Sequence, residues 1–218
     1  MNIQKMKESL TMENELKSVK VKAMDGQERL SYGNENTNYK LYDFWVWSNS
    51  DILSNAPRGV FAEFIVGTAI GLKPKNVRIP WSAYDLVSRS GIKIEVKSAS
   101  YLQSWNQKKL SAISFTIKQA RHWDPDTNMS KDAPKRHADV YVFCLLKHKD
   151  KATVDPLKLE QWVFYVLPTI ALDNYKRSKI SITLKSLEKL TSPITYDVLS
   201  KAITQAYKMQ KRDKDENF

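Results

Sequence analysis

Residues 91–98 read GIKIEVKS, in which apolar and charged side chains alternate after the glycine. As a β-strand, the segment places three apolar side chains on one face, Ile92, Ile94 and Val96. The opposite face carries three charged side chains, Lys93, Glu95 and Lys97. An apolar face needs a core to cover it, so the segment predicts a half-buried strand. The charged face allows two interpretations, a solvated face with weak ion pairs or a metal site.

A second strand candidate, the segment SAYDLVS, precedes this one, and the two are separated by the tripeptide RSG at residues 89–91. A three-residue hairpin loop commonly ends on a residue in the left-handed conformation, which glycine adopts without strain. The loop therefore predicts that Ser88 pairs with Ile92. The same register, continued along both strands, sets Asp85 directly opposite Glu95.

Two carboxylates that face each other across a hairpin repel, so Asp85 and Glu95 need a compensating cation. Lys97 is one candidate for that cation. A divalent metal ion is the other, because Mg²⁺ binds hard oxygen ligands, typically one or two carboxylates together with water and phosphate. A second Glu-x-Lys tripeptide, residues 15–17, lies in a polar stretch where no chemistry is expected. The facing carboxylates favour the metal site over the solvated face.

The segment NAPRGVFAEFIVGTAIGL predicts a helix ahead of the hairpin. Asn55 is suited to cap it and Pro57 to its first turn, and apolar residues follow at helical spacing as far as Gly71. Glu63 lies in the middle of this helix. An isolated helical glutamate is expected on the solvent side, whereas beside two other carboxylates it is a candidate for the site.

The charge of the chain indicates a polyanionic partner. There are 35 Lys and Arg against 24 Asp and Glu, a formal net charge of +11. A positive field of this size attracts nucleic acid, although net charge can also serve solubility alone. Nucleic acid is therefore the leading partner class, and it needs support from a site.

The 218 residues suffice for one packed domain with an appendage. Residues 1–40 are polar and predict a peripheral arm, and the aromatic sequence LYDFWVWSNSDIL marks the start of a single domain over residues 41–218. Cys144 is the single cysteine, which excludes an internal disulfide. No apolar run reaches the roughly 20 residues of a membrane span, and the N-terminus lacks the apolar segment of a secretory signal. We therefore expect a cytoplasmic protein with no membrane partner.

Glu63 on a helix, then Asp85, then nine residues and the tripeptide Glu-Val-Lys at 95–97 resembles the PD-(D/E)XK nuclease superfamily, the restriction-endonuclease-like fold. The resemblance covers about residues 55–146, with Tyr84 where the proline of the motif would stand. It implies an α/β fold with an αβββαβ core, whose mixed central sheet is flanked by helices. The later segments EQWVFYVLPT and PITYDVLSKAITQAYKMQKR predict an additional C-terminal strand and helix.

Carried over residue by residue, the resemblance implies a magnesium site. Asp85 and Glu95 would bind Mg²⁺, for which Mn²⁺ is a substitute, with the Val96 carbonyl as a backbone ligand. Glu63 would add a metal or water contact, and Lys97 would position the attacking water and offset charge on the phosphate. Phosphodiester hydrolysis needs such groups, because a metal polarises the phosphoryl oxygen and lowers the pKa of bound water. The alternative is a satisfied ion-pair network.

The segments that follow the hairpin supply candidate contacts to DNA. Amide and basic side chains can reach bases and phosphates, and the candidates are Gln103, Gln107, Lys108, Lys109 and Arg136. The alternative is that the charged side chains among them are only solvated and that the neighbouring aromatic residues belong to the core.

These observations predict a magnesium-dependent endonuclease that hydrolyses DNA. The resemblance favours a restriction enzyme that acts on duplex DNA as a homodimer, because symmetric duplex sites favour two-fold proteins. The main alternative is a DNA-binding module of the same fold that hydrolyses little or nothing and acts in a larger assembly. A structural protein with a fortuitous acidic pair is the third class.

Overall fold

The chain forms a hairpin and two helices, followed by four consecutive strands and then by two further strands and three helices. In the computed structural model, which describes residues 18–73, 76–80, 82–121, 123–124, 127–130 and 133–216, eight strands are present. They are β1 (Arg29–Tyr32), β2 (Glu35–Lys40), β3 (Leu86–Val87), β4 (Lys93–Ser100), β5 (Ser114–Thr116), β6 (Val140–Leu146), β7 (Trp162–Pro168) and β8 (Ser181–Thr183). The α-helices are α1 (Leu41–Asn49), α2 (Asn55–Ala69), α3 (Thr169–Asp173), α4 (Leu184–Leu187) and α5 (Leu199–Glu216). Single 3-10 turns precede β7 and α5.

The central sheet has four strands in the order β3-β4-β6-β7. β3 is antiparallel to β4, β4 is parallel to β6, and β6 is antiparallel to β7, so the sheet is mixed. The parallel pair runs in register from Ile94 opposite Val140 to Ser100 opposite Leu146. Parallel neighbours require a long crossover, and residues 101–139 supply it.

Both faces of the central sheet are covered. Helices α2 and α5 pack on the face that carries Ile94 and Val96, and they bury residues such as Ala62 and Ile203 in the same cluster. The other face is covered by β5, β8 and the short helices α3 and α4, around residues such as Phe143. Every residue of β6 is buried, as expected for an interior strand with two covered faces.

The predicted β3–β4 hairpin is confirmed in its register near the loop. Leu86 pairs with Ile94, and the N–H of Ser88 donates to the carbonyl of Ile92 at 3.0 Å. Gly91 has a φ of +81°, the left-handed conformation that its position in the loop requires. β3 is much shorter than the seven-residue strand predicted for it, because pairing ends after two residues.

The mixed α/β class and the flanking helices agree with the prediction, as do the C-terminal strand β7 and helix α5. The αβββαβ order differs, because the described residues of the crossover 101–139 form the strand β5 and no helix. β5 leaves the central sheet and pairs with β8. The second face is thus covered by a small sheet and short helices where the αβββαβ core would place a crossover helix.

The aromatic segment at the predicted start of the domain packs differently from the expectation. It forms α1, but no residue of α1 is buried. The arm before it contains the hairpin β1–β2 in residues 29–40, and residues 1–17 lie outside the described part of the chain. Within the described residues, no helix is long and apolar enough to cross a membrane.

Candidate active site

Asp85 lies where the β3–β4 pairing ends. Its N–H donates to the carbonyl of Ile94 at 3.0 Å, although Ile94 already pairs with Leu86. Backbone N–H groups of a regular antiparallel strand alternate in direction, so this bond requires the chain to bend at Asp85. The expectation that Asp85 faces Glu95 in a continued ladder is therefore wrong in detail.

The bend places the Asp85 carboxylate against the edge of β4. Its Oδ2 accepts a hydrogen bond from the N–H of Val96 at 2.7 Å. The N–H and carbonyl of one strand residue point to the same side of the strand, so the Val96 carbonyl also faces this edge. Asp85 and the Val96 carbonyl thus present two hard oxygen atoms at the end of the hairpin.

Glu95 and Lys97 project from the next positions of β4 on the sheet face opposite Ile94 and Val96. The Lys97 Nζ lies 2.5 Å from Glu95 Oε1, and both side chains are partly buried. Residues two apart on a strand share a face, which explains why this pair forms locally. Lys97 neutralises Glu95 in the metal-free protein.

Glu63 approaches from α2, on the other side of the sheet edge. Its carboxylate accepts two bonds from the guanidinium of Arg78, from Nε at 2.5 Å and from Nη2 at 2.7 Å. The Glu63 side chain is only 12 % exposed, so the solvent-side expectation for it is wrong. Arg78 was missed by the sequence interpretation, because a lone arginine in NVRIP carries no signal of a partner 15 residues away.

The carboxylates are close enough to affect one another's ionisation. Burial, and next the negative charge of Glu95, raise the pKa of Asp85 to about 6. The hydrogen bond from Val96 opposes the shift, and the charge of Glu63 adds to it. Within the described residues Glu95 pairs with Lys97 and Glu63 pairs with Arg78, whereas Asp85 has no ion-pair partner. The site therefore has an uncompensated negative charge at neutral pH.

These donors fit a magnesium ion held by few protein groups. Mg²⁺ commonly takes one or two carboxylates and completes its shell with water and phosphate. The described residues contain no group of three or more acidic, His or Cys side chains arranged to hold a metal. Asp85 and the Val96 carbonyl fit as ligands, with Glu95 adjacent, while Glu63 is held apart by Arg78.

An apolar cleft of about 390 Å³ opens beside Asp85. It lies between α2 and the segment that leads into β3, with Phe64, Ile79 and Tyr84 among its walls. Glu63 and Arg78 also line it. A substrate group that enters this cleft would lie next to the carboxylates.

Two predicted DNA contacts are part of the scaffold instead. Gln103 is buried, and its Oε1 accepts a hydrogen bond from the guanidinium of Arg58 at 3.3 Å. The side chain of Gln107 accepts from the N–H of Gln103 at 2.7 Å and donates to the Tyr101 carbonyl at 3.2 Å. These amides stabilise the turn after β4. We therefore correct the prediction that Gln103 and Gln107 contact DNA, and we assign both side chains a structural role.

Arg136 is also used inside the protein. Its side chain is 1 % exposed, it lies 2.5 Å from Asp173 Oδ1, and it donates twice to the carbonyl of Ile117. An enclosed guanidinium that donates three hydrogen bonds to two acceptors cannot reach a phosphate without unpacking, so the prediction that Arg136 contacts phosphate is corrected. Lys108 and Lys109 are exposed, and they stay predicted DNA contacts.

The part of the chain that carries the candidate site also matches a known protein family. The model of the family "Bacteriophage T4 endonuclease IV" matches residues 3–186, which span α2, the hairpin and the central sheet. A comparison with curated proteins gave no match. Because the match covers most of the sequence and all four predicted catalytic positions, this chain belongs to the bacteriophage T4 endonuclease IV family, a family of nucleases.

Proposed function

We propose that this protein is a magnesium-dependent endonuclease that hydrolyses phosphodiester bonds in DNA, with its active site at the edge of β4. The observation that carries the proposal is the hydrogen bond that the Asp85 carboxylate accepts from the Val96 N–H, next to the Glu95–Lys97 ion pair. The family supports the reaction class. The resemblance to PD-(D/E)XK enzymes supports the assignment of roles, including a restriction-enzyme-like reaction.

The chain's own groups divide into those that hold the ion and those that handle charge. Asp85, Glu95 and the Val96 carbonyl would hold Mg²⁺, which when bound polarises a phosphoryl oxygen and lowers the pKa of a water molecule. Lys97 would orient the attacking water and balance charge that builds on the phosphate. Arg78 holds the Glu63 carboxylate in the wall of the cleft through two hydrogen bonds, and there Glu63 would accept a hydrogen bond from water.

The charge balance of the site agrees with the binding of a divalent metal ion and then of an anionic substrate. Three carboxylates, Glu63, Asp85 and Glu95, face two cations, Lys97 and Arg78, so the metal-free site has a net charge of about −1 near neutral pH. Binding of a divalent cation would change the net charge of the site from negative to positive. A DNA phosphate is then attracted only to the metal-loaded site, which couples binding of the scissile group to the presence of the cofactor.

Incubation with supercoiled plasmid tests the proposal. With Mg²⁺ we expect nicked and then linear product, and with chelator we expect none, because no described side chain replaces the ion as a Lewis acid. Mn²⁺ should restore activity after chelation. Equal cleavage in chelator would contradict the metal requirement, and DNA binding without cleavage under any metal would favour the DNA-binding alternative.

DNA binding should depend strongly on salt. Each phosphate that a Lys or Arg neutralises contributes about −0.9 to the slope of log K against log salt. A double replacement, Lys108→Ala with Lys109→Ala, should therefore make the slope shallower by about 2. The matched control is Lys20→Ala with Lys22→Ala, which removes the same charge from exposed positions in an electroneutral part of the chain. A parent whose affinity ignores salt would rule out nucleic acid as the partner.

A further inference from the structure

The excess positive charge is confined to one part of the chain. The 28 Lys and Arg and 17 Asp and Glu of residues 51–218 account for the whole net charge of +11. Residues 18–50, here called the N-terminal module, contain four basic and four acidic residues and are electroneutral. The module contains β1, β2 and α1. Its surface is therefore poorly suited to a polyanion.

Local contacts order the module without giving it a core. Gly26 has a φ of +87° and approaches the ring of Trp45 so closely that a Cβ there would lie 2.8 Å from it. The N–H of Leu41 donates to the Glu28 carbonyl at 2.8 Å, and the N–H of Tyr42 donates to the Gly26 carbonyl at 3.0 Å. An isolated two-stranded hairpin is at best marginally stable. A module this small needs a further surface to pack against.

The module exposes an unusual amount of aromatic surface. Six rings on the hairpin and on α1 are exposed: Tyr32, Tyr39, Tyr42, Phe44, Trp45 and Trp47. Trp47 alone is 83 % exposed. At roughly 200 Å² for each complete side chain, the exposed parts of these rings amount to about 750 Å². Summed over the module, this area is close to the roughly 800 Å² that one partner of a standard interface contributes.

We propose that the N-terminal module is the surface through which two copies of this chain associate. An electroneutral apolar surface lets two copies meet without repulsion, whereas residues 51–218 repel their counterparts in the other copy. A two-fold axis makes the same patch serve both partners, so α1 of each copy covers aromatic rings of the other. This inference does not depend on the nuclease activity.

Sedimentation equilibrium without DNA tests the inference. We expect the parent protein to dimerise at micromolar concentration and Trp47→Glu to weaken the dimer at least about 10-fold, because exposed tryptophans are frequent hot spots of interfaces. The matched control is Leu157→Glu, which adds the same charge at an apolar side chain that is 67 % exposed outside the module. The control should dimerise like the parent. Circular dichroism checks that each variant keeps its helices.

Three outcomes would overturn the proposal. A parent that stays monomeric at about 100 μM lacks an interface of the expected strength, since stable interfaces of this size reach micromolar affinity or better. A Trp47→Glu variant that dimerises like the parent places the interface elsewhere. A Trp47→Glu variant that keeps the parent's oligomeric state but loses salt-sensitive affinity for DNA makes α1 a DNA-binding surface.

Discussion

Replacing Lys97 with alanine is expected to lower the rate of plasmid cleavage by about 10²–10³-fold, the usual effect of removing one group that stabilises charge in a transition state. The affinity for DNA should change little, because Lys97 is partly buried beside Glu95 and is one of 28 basic residues in residues 51–218. Cleavage rates and binding constants measured in the same buffer separate the two effects.

Lys93→Ala is the matched control for Lys97→Ala. Lys93 projects from the same face of β4, is exposed, and lies over the ring of Tyr84 at 5.4 Å from its centroid. Removing it takes away the same charge two residues before Glu95 but leaves the Glu95–Lys97 pair intact. If Lys97→Ala cuts at the parental rate, or if both variants lose activity equally, Lys97 has no special place at the reacting phosphate.

Replacing Asp85 with asparagine should stabilise the metal-free protein at pH 8 and abolish its response to magnesium. The amide oxygen of asparagine can still accept the hydrogen bond from the Val96 N–H, so the change removes charge and keeps the contact. The pKa of Asp85 is raised from 3.8 to about 6, chiefly by burial and by Glu95. One pKa unit corresponds to 1.36 kcal/mol, so the ionised carboxylate costs the fold on the order of 2–3 kcal/mol.

The pH dependence of this effect has a definite sign. A carboxyl whose pKa is higher in the folded than in the unfolded protein contributes stability that is fully present below pH 3.8 and is lost as the pH rises through about 6. Asp85→Asn should therefore melt above the parent at pH 8, by roughly 5–10 °C. The difference should disappear near pH 4.

Magnesium provides the second arm of the same experiment. An ion that binds the native state raises the melting temperature, so excess Mg²⁺ should stabilise the parent at pH 8 and leave Asp85→Asn unchanged. The parent should respond less at pH 5, where Asp85 is largely protonated. An apo variant less stable than its parent, together with an undiminished magnesium shift, would show that Asp85 belongs to a satisfied ion pair.

Several features of the site are local in sequence, and these are the ones that sequence analysis predicted. The register of the β3–β4 hairpin follows from a three-residue loop that ends on Gly91, because loop length and a left-handed residue determine which residues pair. Glu95 and Lys97 share a face because side chains of a strand alternate with a period of two. α2 likewise follows from the spacing of its apolar residues.

Only the tertiary structure decided how these pieces meet. The bend at Asp85 brings its carboxylate to the Val96 N–H, and the partner of Glu63 is an arginine 15 residues away. Neither contact has a period or a spacing that sequence reveals.

The same limit explains the corrected DNA contacts. From its residue type alone, Arg136 is expected on the surface. It is buried instead, because Asp173 and the Ile117 carbonyl accept hydrogen bonds from its guanidinium. A charge is buried only where distant segments supply its partners. The sequence therefore determined the hairpin, the candidate catalytic side chains that it carries and the basic character of residues 51–218. The three-dimensional packing determined which polar groups pair inside the protein and which aromatic rings stay on its surface.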